Sequence, residues 1–238
     1  MTNKTQCIGI LGGAGPLAGS LLMTKVIQCC QIQYQCSQDD DFPKILLFSY
    51  PFSQMLQPNT SSQQEDKVHQ QLQQALEFLY SSGCSVIAIA CNTLHGFLTE
   101  AAAHNDRLVH LPELALRASI QKQCTRVLTL CTSTAVVHQV HQVPLVLPSA
   151  SLQREVDALI QSLLCRSSCI QDRHRLETLI TQLVDDDPEI GAVLLGCTEL
   201  SVLNTEFPLE LSGQIVIDPL ELAAKELCKK YFEKGRET

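Results

Sequence analysis

Short apolar runs rich in branched side chains alternate with stretches of helical spacing, and this alternation is what most constrains the fold. Ile8 to Leu11 ends in a glycine loop and precedes a predicted helix over 17–33. Ile45 to Phe48 predicts a second strand, and a helix is expected over 65–80. Val86 to Ala90 is uniformly apolar, which is typical of a parallel strand buried on both faces. The pattern therefore predicts an α/β protein with mostly parallel sheets flanked by helices.

The second half of the chain repeats the first, because four strand ends recur in the same order. The paired segments are Ile8 to Gly13 with Val127 to Thr132, Ile45 to Ser49 with Val143 to Pro148, Val86 to Thr93 with Val193 to Thr198, and Val109 to Glu113 with Val216 to Glu221. We therefore predict two similar lobes, each with a central mostly parallel sheet, related by a pseudo-two-fold axis. Lobe one is expected to span residues 1–98 and 208–238, and lobe two residues 99–207.

The predicted architecture also indicates where a ligand would bind. Ligands of open α/β sheets lie beyond the carboxyl ends of the strands. Two such lobes facing each other would bring corresponding strand ends together. The active site is therefore expected in the cleft between the lobes.

Composition excludes several classes of partner. The formal net charge is −8 and no block of Lys and Arg stands out, which argues against nucleic acid because phosphate contacts require a basic face. No apolar run approaches the roughly 18 residues that span a bilayer. The N-terminal residues show no signal-peptide pattern. We expect a cytoplasmic protein that binds neither nucleic acid nor membrane.

Cysteine is unusually frequent, with 12 residues in a chain of 238. Without an export signal, reduced thiols are expected rather than disulfides. No Cys-x-x-Cys pair is present to support a zinc site or thioredoxin-like chemistry. Most of the cysteines are expected to be chemically inert, and Cys84, which lies beside an apolar segment, is expected to be a small core residue.

Cys91 and Cys197 differ from the others because they occupy corresponding strand ends in the repeat. Each stands where a strand ends and a helix should begin, so the helix dipole would favour the thiolate. Asn92, Thr93 and Thr198 follow directly. Their side chains and backbone N–H groups are suited to holding a carboxylate.

An ionisable residue also follows each of these two cysteines. His95 lies four residues beyond Cys91, and Glu199 lies two residues beyond Cys197. Either side chain could orient a thiol or relay its proton. The two segments therefore predict acid/base chemistry at a pair of thiols.

Three motifs in order resemble the aspartate/glutamate racemase superfamily, and its aspartate racemase branch most of all. They are Gly12-Gly13-Ala14-Gly15-Pro16, Cys91-Asn92-Thr93-Leu94-His95 and Leu195-Gly196-Cys197-Thr198-Glu199. The resemblance runs from Ile8 to the C-terminal helix. It implies a two-lobed racemase that interconverts L and D amino acids, most of all aspartate, with glutamate or a broad substrate range as alternatives.

The resemblance also implies how such an enzyme works. Cys91 and Cys197 would be the two bases, one deprotonated and one protonated on opposite faces of the substrate carbon. No pyridoxal phosphate or metal ion would be needed, and a homodimer is expected. The residues implied in substrate binding are Gly13 with its loop, Asn92, Thr93, Thr132 and Thr198.

The chain departs from the family pattern where a side-chain carboxylate would be held. Aspartate racemases often have an Arg after the second strand, and here Ser49 to Met55 contains no basic residue. They often have a Lys in the middle of lobe two, and here Cys165 stands at that position with Arg166 beside it. Ala135 also replaces a customary Thr. Arg166 is the remaining candidate for binding an acidic side chain.

Other functions remain open from the sequence alone. Maleate-type isomerases and hydantoin racemases share the two cysteines, and a non-catalytic amino-acid-binding homologue is a further alternative. Gly13 to Ala18 fits a loose dinucleotide-binding pattern, but Ser49 and Tyr50 stand where that pattern requires an acid. His138 and His141 could share a helix face, although no cluster of further metal ligands accompanies them.

Overall fold

The computed structural model describes residues 6–53 and 61–234. The chain divides into two compact units. The first unit, lobe one, continues to Leu111 and resumes at Leu220, and the second, lobe two, contains Pro112–Pro219. No described helix is long and apolar enough to cross a membrane.

Lobe one is a parallel sheet with helices, as its alternating pattern predicts. Its elements in chain order are β1 (Cys7–Gly12), α1 (Pro16–Tyr34), β2 (Lys44–Ser49), α2 (Ser62–Ser81), β3 (Cys84–Ile89), α3 (Glu100–Ala103) and β4 (Leu108–Val109). The sheet order is β2-β1-β3-β4 and all described pairings are parallel. β1 and β3 are therefore inner strands, which explains their continuous apolar sequences.

Helix α2 shows how the sequence pattern positions a helix on this sheet. Its apolar residues recur every three or four positions, and each of them is buried: Val68, Leu72, Ala75, Leu76 and Leu79. They pack in one core with residues of β1 and β3. Gly83 follows with a φ of 83° and ends the helix in the left-handed conformation.

Lobe two repeats this arrangement. Its elements are α4 (Leu111–Gln121), β5 (Val127–Leu130), α5 (Ser133–Val137), β6 (Leu145–Val146), α6 (Ala150–Cys165), α7 (Ile170–Asp186), β7 (Ala192–Leu195), α8 (Thr198–Glu206) and β8 (Ile215–Ile217). The sheet order is β6-β5-β7-β8, again with parallel pairings. The two sheets thus have the same topology, which confirms the predicted pair of similar α/β lobes.

The crossings between lobes fall later than the residues 98 and 208 expected from the sequence. β4 pairs with β3, and β8 pairs with β7. Each sheet therefore keeps its fourth strand before the chain leaves, and the divisions fall at Leu111 and Pro219. The final helix α9 (Pro219–Lys234) packs in lobe one, where Lys25 Nζ lies 3.1 Å from Glu221 Oε2.

Candidate active site

Cys91 lies at the carboxyl end of the lobe-one sheet, two residues after β3 ends at Ile89. It is buried, with 9% of its surface exposed. Its carbonyl oxygen lies 2.9 Å from His95 Nδ1, and the Leu111 N–H donates to His95 Nε2 at 3.3 Å. Because Nε2 accepts, Nδ1 carries the proton and donates to the Cys91 carbonyl. These two hydrogen bonds of His95 thus position the backbone of Cys91.

Asn92 has a buried amide without a recorded partner. The residue is 1% exposed, and neither Oδ1 nor Nδ2 finds a hydrogen bond within residues 6–53 and 61–234. An unsatisfied buried polar group costs about 1–3 kcal/mol. Most buried polar groups in folded proteins have a hydrogen-bond partner. A bound ligand is one partner that would satisfy the Asn92 amide.

The chain after Asn92 forms only a short 3-10 helix, over Thr93–Phe97. The sequence predicted a helix here whose dipole would favour the Cys91 thiolate. A single short 3-10 segment aligns fewer peptide groups than an α-helix does, so that contribution is smaller than predicted. Thr93 is buried beside Asn92.

Cys197 lies at the equivalent place in lobe two, two residues after β7 ends at Leu195. It is the N-cap residue of α8, so here the expected helix is present. The Cys197 thiol donates to Glu199 Oε2 at 2.8 Å. Glu199 is itself buried in the first turn of α8. Burial raises the pKa of Glu199, against the opposing effect of the Cys197 hydrogen bond.

Thr198 and Thr132 are the buried hydroxyl residues of the lobe-two segments. Thr198 Oγ1 lies 3.5 Å from Glu199 Oε2, which is a weak contact. Thr132 caps helix α5, where its Oγ1 accepts the Ala135 N–H at 3.1 Å. Ala135 therefore holds the Thr132 hydroxyl through its backbone N–H, although its side chain lacks the hydroxyl that is common at this position in the family.

Backbone geometry requires glycine at two positions of the loop that follows β1. Gly13 has a φ of 102°, and a Cβ there would lie 2.0 Å from the Tyr50 carbonyl oxygen. Gly15 caps α1 with a φ of 83°, and Pro16 is the first helical residue. Both positions demand glycine for conformational reasons. The Gly-x-Gly pattern is thus explained by a tight strand-to-helix turn.

His141 is a site residue that the sequence did not reveal. Its Nε2 lies 3.2 Å from the carbonyl oxygen of Gly196, the residue directly before Cys197. Burial lowers the pKa of His141 to about 4, so the ring is neutral near pH 7. A carbonyl only accepts, so Nε2 carries the proton and Nδ1 is left as an acceptor.

The spacing of His138 and His141 predicted that they could share a helix face, and this prediction is wrong. Helix α5 ends at Val137, so both histidines follow it. Within the described part of the chain no group of three His, Cys, Asp or Glu has a metal-binding arrangement. The long-range contact between His141 and Gly196 leaves no trace in local sequence spacing.

Arg166 is not free to hold an acidic substrate side chain. Its guanidinium donates to both carboxylate oxygens of Asp172, at 2.8 Å and 2.7 Å. The Arg166 hydrogen bonds hold the pKa of Asp172 at about 2. Such a bidentate fork is among the stronger charged pairings in proteins. The basic residue that the sequence offered for an aspartate side chain is therefore engaged within lobe two.

Each lobe brings its predicted residues to adjacent strand ends. In lobe one β1 leads to Gly13 and β3 leads to Cys91, with Leu11 paired to Ile89. In lobe two β5 leads to Thr132 and β7 leads to Cys197. The fold and these segments define a two-lobed α/β protein with a buried thiol past the third strand of each sheet.

Comparison with known proteins identifies the family of this chain. The sequence profile of Asp/Glu/Hydantoin racemases matches residues 11–227, and the chain belongs to this family. The broad specificity amino-acid racemase RacX of Bacillus subtilis (strain 168) is 25% identical over 236 residues, which cover 94% of this chain and 98% of RacX. The racemase family predicted from the three motifs is thus confirmed.

Solved structures share the fold. The aspartate racemase of Picrophilus torridus matches with a TM-score of 0.72 and 21% identity, over 95% of this chain and 94% of that one. The glutamate racemase of Thermus thermophilus matches with a TM-score of 0.67 and 18% identity, over 98% of this chain and 82% of that one. These likenesses confirm the two-lobed α/β fold.

Proposed function

We propose that this protein is an amino-acid racemase in which Cys91 and Cys197 are the two bases. The observation that carries the proposal is their equivalence. Each thiol is buried and lies two residues past the third strand of its lobe, in sheets of identical topology. Membership in a racemase family supports an acid/base role for this pair of thiols.

The reaction follows from the needs of racemisation. One cysteine, as thiolate, removes the proton of the α-carbon, forming an S–H bond while the C–H electron pair moves toward the substrate carboxylate. The other cysteine, as thiol, gives its proton to the opposite face of that carbon and is left as thiolate. The enzyme therefore ends each turnover with the two protonation states exchanged, ready for the reverse direction.

Glu199 supplies a base for one of the two thiols. The Cys197 thiol already donates to the Glu199 carboxylate. Because burial raises the pKa of this carboxyl, its basicity is closer to that of a thiolate than a solvated glutamate would be. We propose that Glu199 takes the Cys197 proton when that residue acts as thiolate, and returns it in the other direction.

His95 has a different part in this proposal. Its ring nitrogens bond to the Cys91 carbonyl and to the N–H of Leu111. These bonds hold the strand end on which Cys91 sits. We therefore propose that His95 positions Cys91, in place of the proton relay suggested by its spacing.

Substrate binding is proposed for the polar residues around each thiol. The Asn92 amide, buried and without a recorded partner, offers a donor to a carboxylate and an acceptor to an ammonium group. Thr93, Thr132 and Thr198 are buried hydroxyl residues next to the same strand ends. The Gly13 loop ends the strand adjacent to β3, which supports its placement beside this group.

The substrate is proposed to be an amino acid, with aspartate tested first and glutamate and neutral amino acids tested beside it. The engagement of Arg166 by Asp172 favours a wider range than acidic side chains alone. RacX, which is 25% identical to this chain, is a broad specificity amino-acid racemase, and this also supports a wider substrate range. We further propose a cytoplasmic homodimer that works without pyridoxal phosphate.

The test is a substrate panel with the purified, reduced protein and no added cofactor. L-aspartate, L-glutamate, neutral and basic L-amino acids and a 5-substituted hydantoin are incubated in deuterated water. Loss of the α-proton signal by NMR together with formation of the D-enantiomer on chiral chromatography supports the racemase and identifies its substrate. Turnover of the hydantoin alone would move the proposal to a hydantoin racemase. Saturable binding without exchange would indicate a non-catalytic homologue.

A further inference from the structure

The carbonyl group of Gly196, the residue before Cys197, lies just past the paired part of β7. The last pairing between β5 and β7 joins Leu130 to Leu195, so the ladder stops one residue before Gly196. His141 Nε2 lies 3.2 Å from the Gly196 carbonyl oxygen and donates to it. This side-chain hydrogen bond therefore fixes the chain at the point where pairing between these two strands ends.

The approach of His141 to Gly196 is close enough to exclude a larger residue at position 196. A Cβ there would lie 2.9 Å from His141 Nε2, 2.9 Å from Cys131 Cβ and 3.1 Å from the Leu130 carbonyl oxygen. Contacts of 2.9 Å are shorter than real Cβ atoms show. The absence of a side chain at Gly196 thus lets the imidazole reach the backbone.

The same hydrogen bond joins the two strand-end segments of lobe two. His141 is buried in the segment that follows α5, the helix capped by Thr132. The Val140 N–H donates to the Ala135 carbonyl at 3.0 Å, which ties this segment to α5. The segment after β5, which carries Thr132, is therefore linked to the segment after β7, which carries Cys197.

Two further hydrogen bonds hold Cys197 itself. Its carbonyl oxygen accepts the Leu200 N–H at 3.0 Å in the first turn of α8. Its thiol donates to Glu199 Oε2 at 2.8 Å. His141 fixes the peptide group on the other side of the Cys197 Cα. The direction of the thiol therefore depends on His141 as well as on α8.

Lobe one holds its own thiol segment with a histidine too. His95 Nδ1 donates to the Cys91 carbonyl at 2.9 Å, and both histidines are buried. His95 follows its cysteine by four residues, whereas His141 and Gly196 are 55 positions apart. The two lobes thus place an imidazole on the backbone beside each thiol from different parts of the chain.

We propose that His141 is a positioning residue for Cys197 in the racemase reaction and acts through the Gly196 carbonyl. This role rests on the proposed function. Two thiols that act on opposite faces of one carbon must both be accurately placed, because a displacement of about 1 Å can cost about 10²-fold in rate. His141 itself exchanges no proton with the substrate.

The first test compares His141→Leu, which removes the donor, with His141→Gln, which retains an N–H for the Gly196 carbonyl. Both enantiomers of aspartate are used, or of the amino acid that the substrate panel identifies in its place. His141→Leu should lower kcat by about 10–100-fold with KM unchanged. His141→Gln should recover most of this loss.

His104→Leu is the matched control for these variants. His104 Nδ1 also bonds to a backbone carbonyl, that of Glu100 at 2.7 Å, but the residue is exposed and lies in lobe one. Its replacement removes the same kind of hydrogen bond without touching the Cys197 segment. This variant should keep the kcat and KM of the unmodified protein.

A primary kinetic isotope effect separates the positioning of Cys197 from a general disturbance of the site. Each enantiomer is supplied with hydrogen or deuterium at the α-carbon. If Cys197 is misplaced in His141→Leu, proton removal slows for the enantiomer that Cys197 deprotonates, and the isotope effect on kcat should rise for that enantiomer. The other enantiomer is deprotonated by Cys91, so its isotope effect should not rise.

Gly196→Ala tests the same contact with His141 unchanged. The added Cβ separates the carbonyl from the imidazole and should give the same one-sided isotope effect. Three results would overturn the role of His141: unchanged kcat in His141→Leu, a loss that His141→Gln does not recover, or an isotope effect that rises equally for both enantiomers. Absence of turnover in the unmodified protein would instead overturn the proposed function, and this role with it.

Discussion

The Cys197 thiol donates a hydrogen bond to Glu199 Oε2 at 2.8 Å, and both residues are buried at the start of α8. A thiol at 2.8 Å from a carboxylate has its proton acceptor already in place. Glu199 is therefore positioned to accept the Cys197 proton.

Glu199→Gln keeps the size of the side chain and removes its basicity. If Glu199 takes the Cys197 proton, kcat should fall by about 10²–10⁴-fold, the usual contribution of a positioned general base. The pH-rate profile of kcat/KM should also lose the limb that reports Glu199. Glu210→Gln, at a residue whose side chain is 80% exposed in the same lobe, serves as the control and should keep full activity. An unchanged rate and profile in Glu199→Gln would remove this residue from the reaction.

Asn92→Leu replaces a buried amide, which has no hydrogen-bond partner among the described residues, by an apolar group of similar volume. Because this substitution breaks no hydrogen bond to the described residues, the free energy of unfolding should stay the same or rise by about 1 kcal/mol. At the same time kcat/KM should fall by about 10–100-fold, since a substrate contact is lost. Urea denaturation and steady-state kinetics measure the two quantities. A large loss of stability with unchanged kcat/KM would mean that Asn92 is structural.

Gly13→Ala should be far more damaging than its match at a second glycine with the same backbone angle. Gly13 and Gly213 both have a φ of 102°, but only Gly13 faces a carbonyl, that of Tyr50, at 2.0 Å from an added Cβ. Gly213→Ala should cost about 1–2 kcal/mol through its φ alone. Gly13→Ala should cost at least twice as much in urea denaturation. Equal costs would contradict the close approach of Tyr50.

The buried His141 predicts a loss of stability in acid. Its pKa is about 4 in the folded protein, below its ordinary value of about 6.5, so the unfolded chain binds the proton more tightly. The contribution of His141 is complete above pH 6.5 and is lost as the pH falls toward 4. Between pH 7 and pH 5 it should fall by about 2 kcal/mol.

His141→Gln tests this pH dependence because glutamine does not titrate and retains an N–H donor for the Gly196 carbonyl. The difference in unfolding free energy between pH 7 and pH 5 should shrink by about 2 kcal/mol in this variant. His104→Gln, at an exposed histidine, is the control and should leave the difference as it is. A pH dependence that is the same in all three proteins would contradict a neutral, buried His141.

Local patterns in the sequence predict most of the fold. The apolar spacing of α2 and the uniform apolar run of β3 each define an element through its own residues. The lobe boundaries were less accurate, because β4 has two residues and β8 three. Strands that short carry little periodicity, and what assigns them to a sheet is pairing with a distant strand.

The residues of the candidate site also differ in how far they could be predicted from the sequence. Cys91 and Cys197 could be found because the repeat places them at equivalent strand ends. Glu199 is within two residues of Cys197, so its contact is local. His141 bonds to Gly196 across 55 positions, and the Arg166 guanidinium donates to both carboxylate oxygens of Asp172. Such contacts depend on how chain segments pack, which spacing alone does not encode.

We propose that the two thiols act on opposite faces of the substrate carbon, and isotope incorporation distinguishes this mechanism from catalysis by a single base. The L-enantiomer of the best substrate is converted in deuterated water, and both enantiomers are analysed at low conversion. We predict that the D-product carries deuterium at its α-carbon while the recovered L-substrate keeps its proton. Cys91→Ala and Cys197→Ala should each abolish product formation, and Cys84→Ala, at a core thiol, should affect stability only. Deuterium in the recovered L-substrate at the rate of product formation, or full activity in either Cys91→Ala or Cys197→Ala, would contradict the two-thiol mechanism.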